Sequence, residues 1–275
     1  MRALQFATDQ KKYRCKKEKK FLLRKLSNLT QMKKEDLHIG CSSFYNGYWK
    51  GVFYPKYLTR KEWFTYYCEH FDTYELNATF YKFPTVKSLQ DWYDKTPEGF
   101  QFAVKAPKII THQKKFTDCQ QEIDDFYEVC KEGFKEKLGC ILFQLPPSFD
   151  YTPERLSLIT AALNPDFKNV IEFRNKTWWN DEVYEVFSKN NITFCSVSYP
   201  NLPSDIIQTN EIGYLRFHGI PKLFYSSYND EELKQTAAIL FSNSKFKKTF
   251  VYFNNTASTA GILNALTLKE EGNIV

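Results

Sequence analysis

Short runs of β-branched and aromatic residues recur along the chain, separated by stretches whose apolar positions return every three or four residues. The runs are Leu37–Cys41, Thr73–Leu76, Phe100–Lys105, Cys140–Leu145, Val170–Phe173, Thr193–Val197, Tyr214–Phe217 and Phe250–Phe253. Each reads as a buried strand, and the spacing of their starts is close to the roughly 30 residues of a βαβ unit. Between them, Val86, Leu89 and Tyr93 form one stripe of a helix predicted over Thr85–Lys95. Ile123, Phe126, Tyr127 and Cys130 do the same over Asp118–Lys137. Pro153–Leu163 opens with proline in its first turn behind Thr152, an N-cap residue. Arg60–His70 behind Thr59, Trp179–Lys189, Asp230–Phe241 and Ala257–Leu268 complete the helical set. Ser198–Ile212 contains Pro200 and Pro203 and is predicted to be a loop with at most one helical turn.

Alternating strands and helices imply a parallel sheet. Eight strands predict an α/β fold of the (β/α)8 TIM-type barrel class, with its sixth helix weak or missing. The rival is an open doubly wound sheet. That fold would normally carry a glycine-rich phosphate loop after its first strand, where this chain reads Gly40-Cys41-Ser42-Ser43-Phe44.

Most runs end in polar residues two positions apart, which share one face of a strand. Glu75/Asn77, Lys105, Gln144, Glu172/Arg174, Arg216/His218 and Tyr252/Asn254 therefore point one way from their strand ends. In a closed parallel sheet they meet at the C-terminal mouth, where barrel enzymes place their active sites. Ser42 and His112 belong to adjoining loops, and Asn255 follows Asn254 before the last helix.

Charge divides the chain. Its formal net charge is +6, yet residues 1–31 hold ten Lys/Arg and two acids. The remainder holds 28 basic and 30 acidic residues and is nearly neutral. We therefore separate a basic leader, residues 1–36, from a single barrel domain, residues 37–275. Methionine occurs only at positions 1 and 32, and Met32 stands five residues before the first strand, so Met32 is taken as the native start. A nucleic-acid partner is expected only if the leader is native. No apolar run reaches membrane-spanning length, so no membrane partner is expected. The seven cysteines are odd in number and lack a C-x-x-C pair, which fits reduced apolar fillers in a cytoplasmic protein better than disulfides or a zinc ribbon.

The polar strand ends lie within longer words: IGCSSFYNGYWKGVFYP (39–55), ELNATFYKFP (75–84), GFQFAVKAPKIITH (99–112), LGCILFQLPPSF (138–149), IEFRNKTWW (171–179), YLRFHG (214–219) and VYFNN (251–255). In this order they resemble the YecE-like family, also called DUF72, over about residues 38–266. The resemblance implies a TIM-type barrel and assigns no activity. The chain departs from the family pattern at Ser43 and Phe44, where a second glycine and a tryptophan are usual. It also departs at Thr256-Ala257-Ser258-Thr259, where a polar turn with glycine is usual.

Two carboxylates facing three fixed cations make a neutral to positive mouth, suited to an anion. The chain is accordingly read as a metal-independent enzyme without a cofactor, acting on a small phosphorylated or carboxylated metabolite. Glu75, Lys105, Glu172 and His218 are the candidate catalytic groups. Lys105 reads as a proton-transfer or Schiff-base lysine and His218 as a general acid/base near neutrality. Ser42, Asn77, His112, Gln144, Arg174, Arg216, Tyr252, Asn254 and Asn255 are the candidate substrate contacts, with Arg174 and Arg216 as the anion clamp. Trp178, Trp179, Phe44, Tyr45, Tyr48 and Trp49 read as loop packing or stacking groups. The alternatives are a non-catalytic binding protein, a metal-dependent hydrolase or nuclease, and a purely structural network of Glu75, Glu172, Arg174 and Arg216.

Overall fold

The computed structural model describes residues 33–243 and 245–274. The leader up to residue 32, including the proposed Met32 start, lies outside the described residues. All eight sequence runs form strands: β1 (Leu37–Cys41), β2 (Thr73–Leu76), β3 (Gln101–Lys105), β4 (Leu138–Gln144), β5 (Asn169–Glu172), β6 (Thr193–Phe194), β7 (Ser196–Ser198), β8 (Ile212–Phe217) and β9 (Lys248–Phe253). The described residues hold nine because the run Thr193–Val197 divides at Cys195.

The ladders are all parallel and make two sheets, ordered β2-β3-β4-β5-β6 and β1-β9-β8-β7. The parallel α/β arrangement is as expected, and the strand pairings give two sheets. At one junction the same stretch of chain serves both sheets, since β6 pairs with β5 and β7 pairs with β8. At the other, β1 and β2 are bridged by a side chain. The Tyr67 hydroxyl accepts from Cys41 N at 2.8 Å and donates to Thr73 O at 3.0 Å. Gly40 permits this approach: a Cβ there would lie 2.5 Å from the Thr73 carbonyl oxygen and 2.8 Å from the Tyr67 hydroxyl.

Helices cover the outer faces at Trp63–His70, Val86–Tyr93, Gln120–Phe134, Pro153–Ala162, Asp181–Lys189, Asp230–Ser242 and Ala260–Ile274. Their starts follow from local chemistry. Thr152 caps Arg155 N, Asn180 caps Val183 N, and Thr85 with Ser88 forms a reciprocal capping box. Thr59 instead heads a turn closed on Glu62, and the helix begins only at Trp63. No helix forms over residues 199–211, as Pro200 and Pro203 predict. A cavity of about 570 Å³ occupies that side of the sheet, against Leu215, Phe217 and the helix Asp230–Ser242.

Two apolar clusters result. The large one joins sheet and helices. The small one is drawn from strands of both sheets: Ala103, Cys140, Leu142, Val170, Cys195, Val197, Tyr214, Phe250 and Tyr252. The two sheets thus share an inner core, and the charged strand ends cap it.

Candidate functional site

The polar pairs at the ends of β2, β5 and β8 converge as the period of the strands requires. Arg216 is at the centre, 2 % exposed and charged on every account. Its Nε and Nη2 donate to Glu75 Oε2 and Oε1 at 2.9 and 2.6 Å, and its Nη1 donates to Glu172 Oε2 at 2.5 Å. The guanidinium therefore crosses from one sheet to the other. Tyr214, two residues earlier on the same face, donates its hydroxyl to Glu75 Oε2 at 2.7 Å. Asn77 Nδ2 completes the shell of Glu75, 3.0 Å from Oε1.

Glu172 is fully buried. Burial by itself would raise its pKa, but Arg174 and Arg216 outweigh it and hold the carboxyl well below the usual range. Arg174 Nε donates to Glu172 Oε1 at 2.5 Å, and its guanidinium lies 4.2 Å over the Tyr199 ring. His218 Nε2 lies 3.3 Å from both Glu172 Oε1 and Arg174 Nη2, while its Nδ1 is buried without a partner. Burial and then Arg174 push this imidazole down to about 3, so it is neutral. The near-neutral titration expected of His218 is thus displaced by burial beside a cation.

Lys105 sits at the rim with its Nζ 4.2 Å from the centre of the Phe80 ring. Among the described residues it forms no ion pair. Burial and then the neighbouring Arg216 lower its ammonium to about 8, with Glu172 and Glu75 acting the other way. His112 packs edge-on against Phe80, and burial and then Lys105 bring it down to about 4. Asn254 Nδ2 donates to Ser42 Oγ at 2.8 Å, and Asn77 Nδ2 reaches Ser42 O at 3.3 Å. These groups form a partly exposed ring above the buried charges.

Several expected contacts lie elsewhere. Arg216 spends its donors on Glu75 and Glu172, so it does not serve as an outward anion clamp. Tyr252 turns from the mouth and meets Thr73 Oγ1 at 2.5 Å. Asn255 is buried and its Nδ2 holds Ser226 O and Asn264 Oδ1. Gln144 is 8 % exposed, and its Nε2 donates to Leu145 O at 2.7 Å. Trp178 is buried between Phe173 and Phe149, and Trp49 donates to Ser258 O. Tyr214, Tyr199 and Phe80 were missed in the sequence. Alternation alone could have found Tyr214, because it shares a face with Arg216; Tyr199 and Phe80 come from loops without that period.

The charge cluster sums to two carboxylates against Arg216, Arg174 and Lys105. Among the described residues, no group of three or more His, Cys, Asp or Glu side chains is placed to hold a metal ion. These features define a parallel α/β protein with a buried, cross-sheet charge network at the carboxyl ends of its strands. The chain belongs to the DUF72 family, described as proteins of unknown function, whose model matches residues 38–274. It is 29 % identical over 239 residues to the UPF0759 protein YunF of Bacillus subtilis, covering 75 % of this chain and 84 % of that one. To YecE of Escherichia coli K12 it is 29 % identical over 83 residues, 30 % of either chain. A crystal structure of a DUF72 family protein from Thermotoga maritima superposes with TM-score 0.76 at 29 % identity, covering 85 % of this chain and 98 % of that one. One from Enterococcus faecalis V583, at 21 % identity, shares the fold with TM-score 0.75 and covers 87 % and 96 %.

Proposed function

We propose that the two sheets are arcs of one (β/α)8 barrel and that its carboxyl-end mouth binds a small anionic metabolite for metal-independent chemistry. The barrel reading is supported by the shared inner core, by the chain's passage through both sheets at Cys195, and by the Tyr67 bridge at the other junction. The anion reading is carried by one observation: with Arg216 occupied by two glutamates, Lys105 is a partly buried cation with no counter-ion among the described residues. A phosphate or carboxylate against Lys105 and the outer edge of Arg174 supplies that missing charge.

Lys105 then has a second capacity. With its pKa near 8, roughly a tenth of it is a neutral amine at pH 7, able to take a proton from a bound substrate. Glu75 and Glu172 hold the Arg216 guanidinium, whose charge helps keep part of this amine neutral. His218 Nδ1 and Asn77 Oδ1, both buried without partners, are left to contact the ligand. Ser42 and Asn254 border the same opening.

The test is thermal stabilisation of the protein by a panel of phosphorylated and carboxylated metabolites. A true ligand at a hundred times its Kd adds about 2.7 kcal/mol of stability. Lys105→Gln should abolish that gain with its unliganded melting point nearly unchanged, and Arg174→Gln should abolish it while also lowering the melting point, because Glu172 loses a buried partner. If no anion stabilises the protein, or if the gain survives in both variants, the proposal fails and a structural charge network remains.

A further inference from the structure

The described part of the chain is nearly neutral in sum, yet its charges are sorted by position. Consider the loops that leave the carboxyl ends of the strands: residues 42–62, 77–85, 106–119, 145–152, 173–180, 199–206, 218–229 and 254–259. They hold eleven Lys/Arg and four Asp/Glu. Residues outside these loops, from 32 onward, therefore hold 17 basic and 26 acidic groups. Within residues 32–275, the loops at one end are strongly positive and the rest is strongly negative. The first loop alone brings Lys50, Lys56, Arg60 and Lys61, all exposed. The third brings Lys108, Lys114 and Lys115. Among these, Lys114 is the one that pairs with an acid of the described residues, Glu122. Two of the four acids are already engaged, Glu62 by Thr59 and Asp150 by Arg155.

Exposed aromatic rings fall at the same end. Tyr45, Tyr48, Tyr57, Tyr81, Phe224 and Tyr225 are 41–83 % exposed, and every one lies in these loops. Among the described residues, only Ile239 and Leu263 of the large exposed apolar side chains lie outside them. Scattered exposed rings need no explanation, but rings gathered on one face do. Cations sit beside two of them: Arg60 lies 5.6 Å from the Tyr45 ring centre, and Lys222 lies 4.5 Å from that of Tyr225.

We infer that the rim of the mouth is a binding surface for single-stranded nucleic acid. Interleaved cations and flat rings match a strand that offers a phosphate and an unpaired base at each step. The rings are mostly tyrosine, which stacks on bases while its hydroxyl stays in water; a lipid surface is better served by Phe, Leu and Trp. The inference rests on the loops and needs no chemistry in the cup beneath them. It also reverses the expectation from the chain's net charge, which averages over two opposed ends.

The test is fluorescence anisotropy of the full-length chain with a labelled oligothymidylate and its oligouridylate counterpart, over a series of salt concentrations. The double variant Tyr48→Ala/Tyr81→Ala should bind roughly fivefold or more weakly per ring removed. Lys50→Gln/Lys115→Gln should lower the slope of log affinity against log salt by about 0.7 per lost phosphate contact. Lys234→Gln, on a helix outside the loops, should bind as the parent chain does. The aromatic double variant should keep any stabilisation by small anions, which separates this surface from the cup. A preference for either oligomer supports the inference and says which nucleic acid it serves. Parent-like binding by both rim variants overturns it, because binding would then come from elsewhere, the basic leader included. Binding to phosphatidylserine-containing vesicles without binding to either oligomer overturns it in favour of an anionic lipid surface.

Discussion

His218 shows how far a side chain's surroundings displace it from its ordinary chemistry. Burial and Arg174 lower its pKa from 6.5 to about 3 in the folded protein. The unfolded chain therefore binds one more proton than the native state between those values. Stability from this group is complete above pH 6.5 and is lost as pH falls towards 3. His112, lowered to about 4, adds in the same direction. Glu172 and the other carboxyls held below their usual range act mainly below pH 5, so the window from about pH 5 to 6.5 is dominated by the imidazoles. Urea unfolding across that window should show stability falling with acid, and His218→Asn should remove about 1.4 kcal/mol per pH unit from the slope. An unchanged slope would mean that His218 is charged in the native protein.

The residue pattern was legible to that point and no further. Glu75, Glu172, Arg216 and His218 were singled out because period-two alternation ends each strand on a polar pair. Their pairing was not legible, because Arg216 takes its partners from the opposite sheet. That is why its assignment as an anion clamp fails while its place in the cluster holds.

Among the elements, strands and helices followed the apolar periods closely, with ends shifting by a few residues where caps decided. Thr152 capped as expected, Thr85 supplied a cap that the sequence reading had not named, and Thr59 did not cap because Glu62 closed its turn. The two sheet junctions left no sequence signal. A strand that hands over from one neighbour to the next at Cys195 still reads as one run. A junction made by Tyr67 is carried by a helix residue whose hydroxyl happens to reach both strands. Tyr67→Phe leaves the Cys41 N–H buried and unmatched, at a cost of about 1–3 kcal/mol. Chemical denaturation should show that loss, with the far-ultraviolet circular dichroism of the native state unchanged. A loss below a few tenths of a kcal/mol would mean that the strands hold without the bridge.

At the scale of the whole molecule, the Arg216 network ties the sheets together through charge. Desolvating these groups is costly, and they are tolerable only as a set. Arg216→Met strands two buried carboxylates and should destabilise the fold by about 3–5 kcal/mol. Replacing Arg216, Glu75 and Glu172 together by apolar residues of similar volume should cost much less. If the single and triple variants lose equal stability, the three charges do not act as a set.

The order of strands and helices, the missing sixth helix and the face on which each polar strand end lies came from the sequence itself, because they depend on repeats of two and about 3.6 residues along one chain. Which carboxylate meets which guanidinium, which lysine has no counter-ion among the described residues, and how the nearly neutral charge of residues 32–275 divides into a basic aromatic rim and an acidic body were decided only by the fold. Electrostatic energy depends on distance in space, and residues 139 positions apart, such as Glu75 and Tyr214, become neighbours only once the strands are assembled.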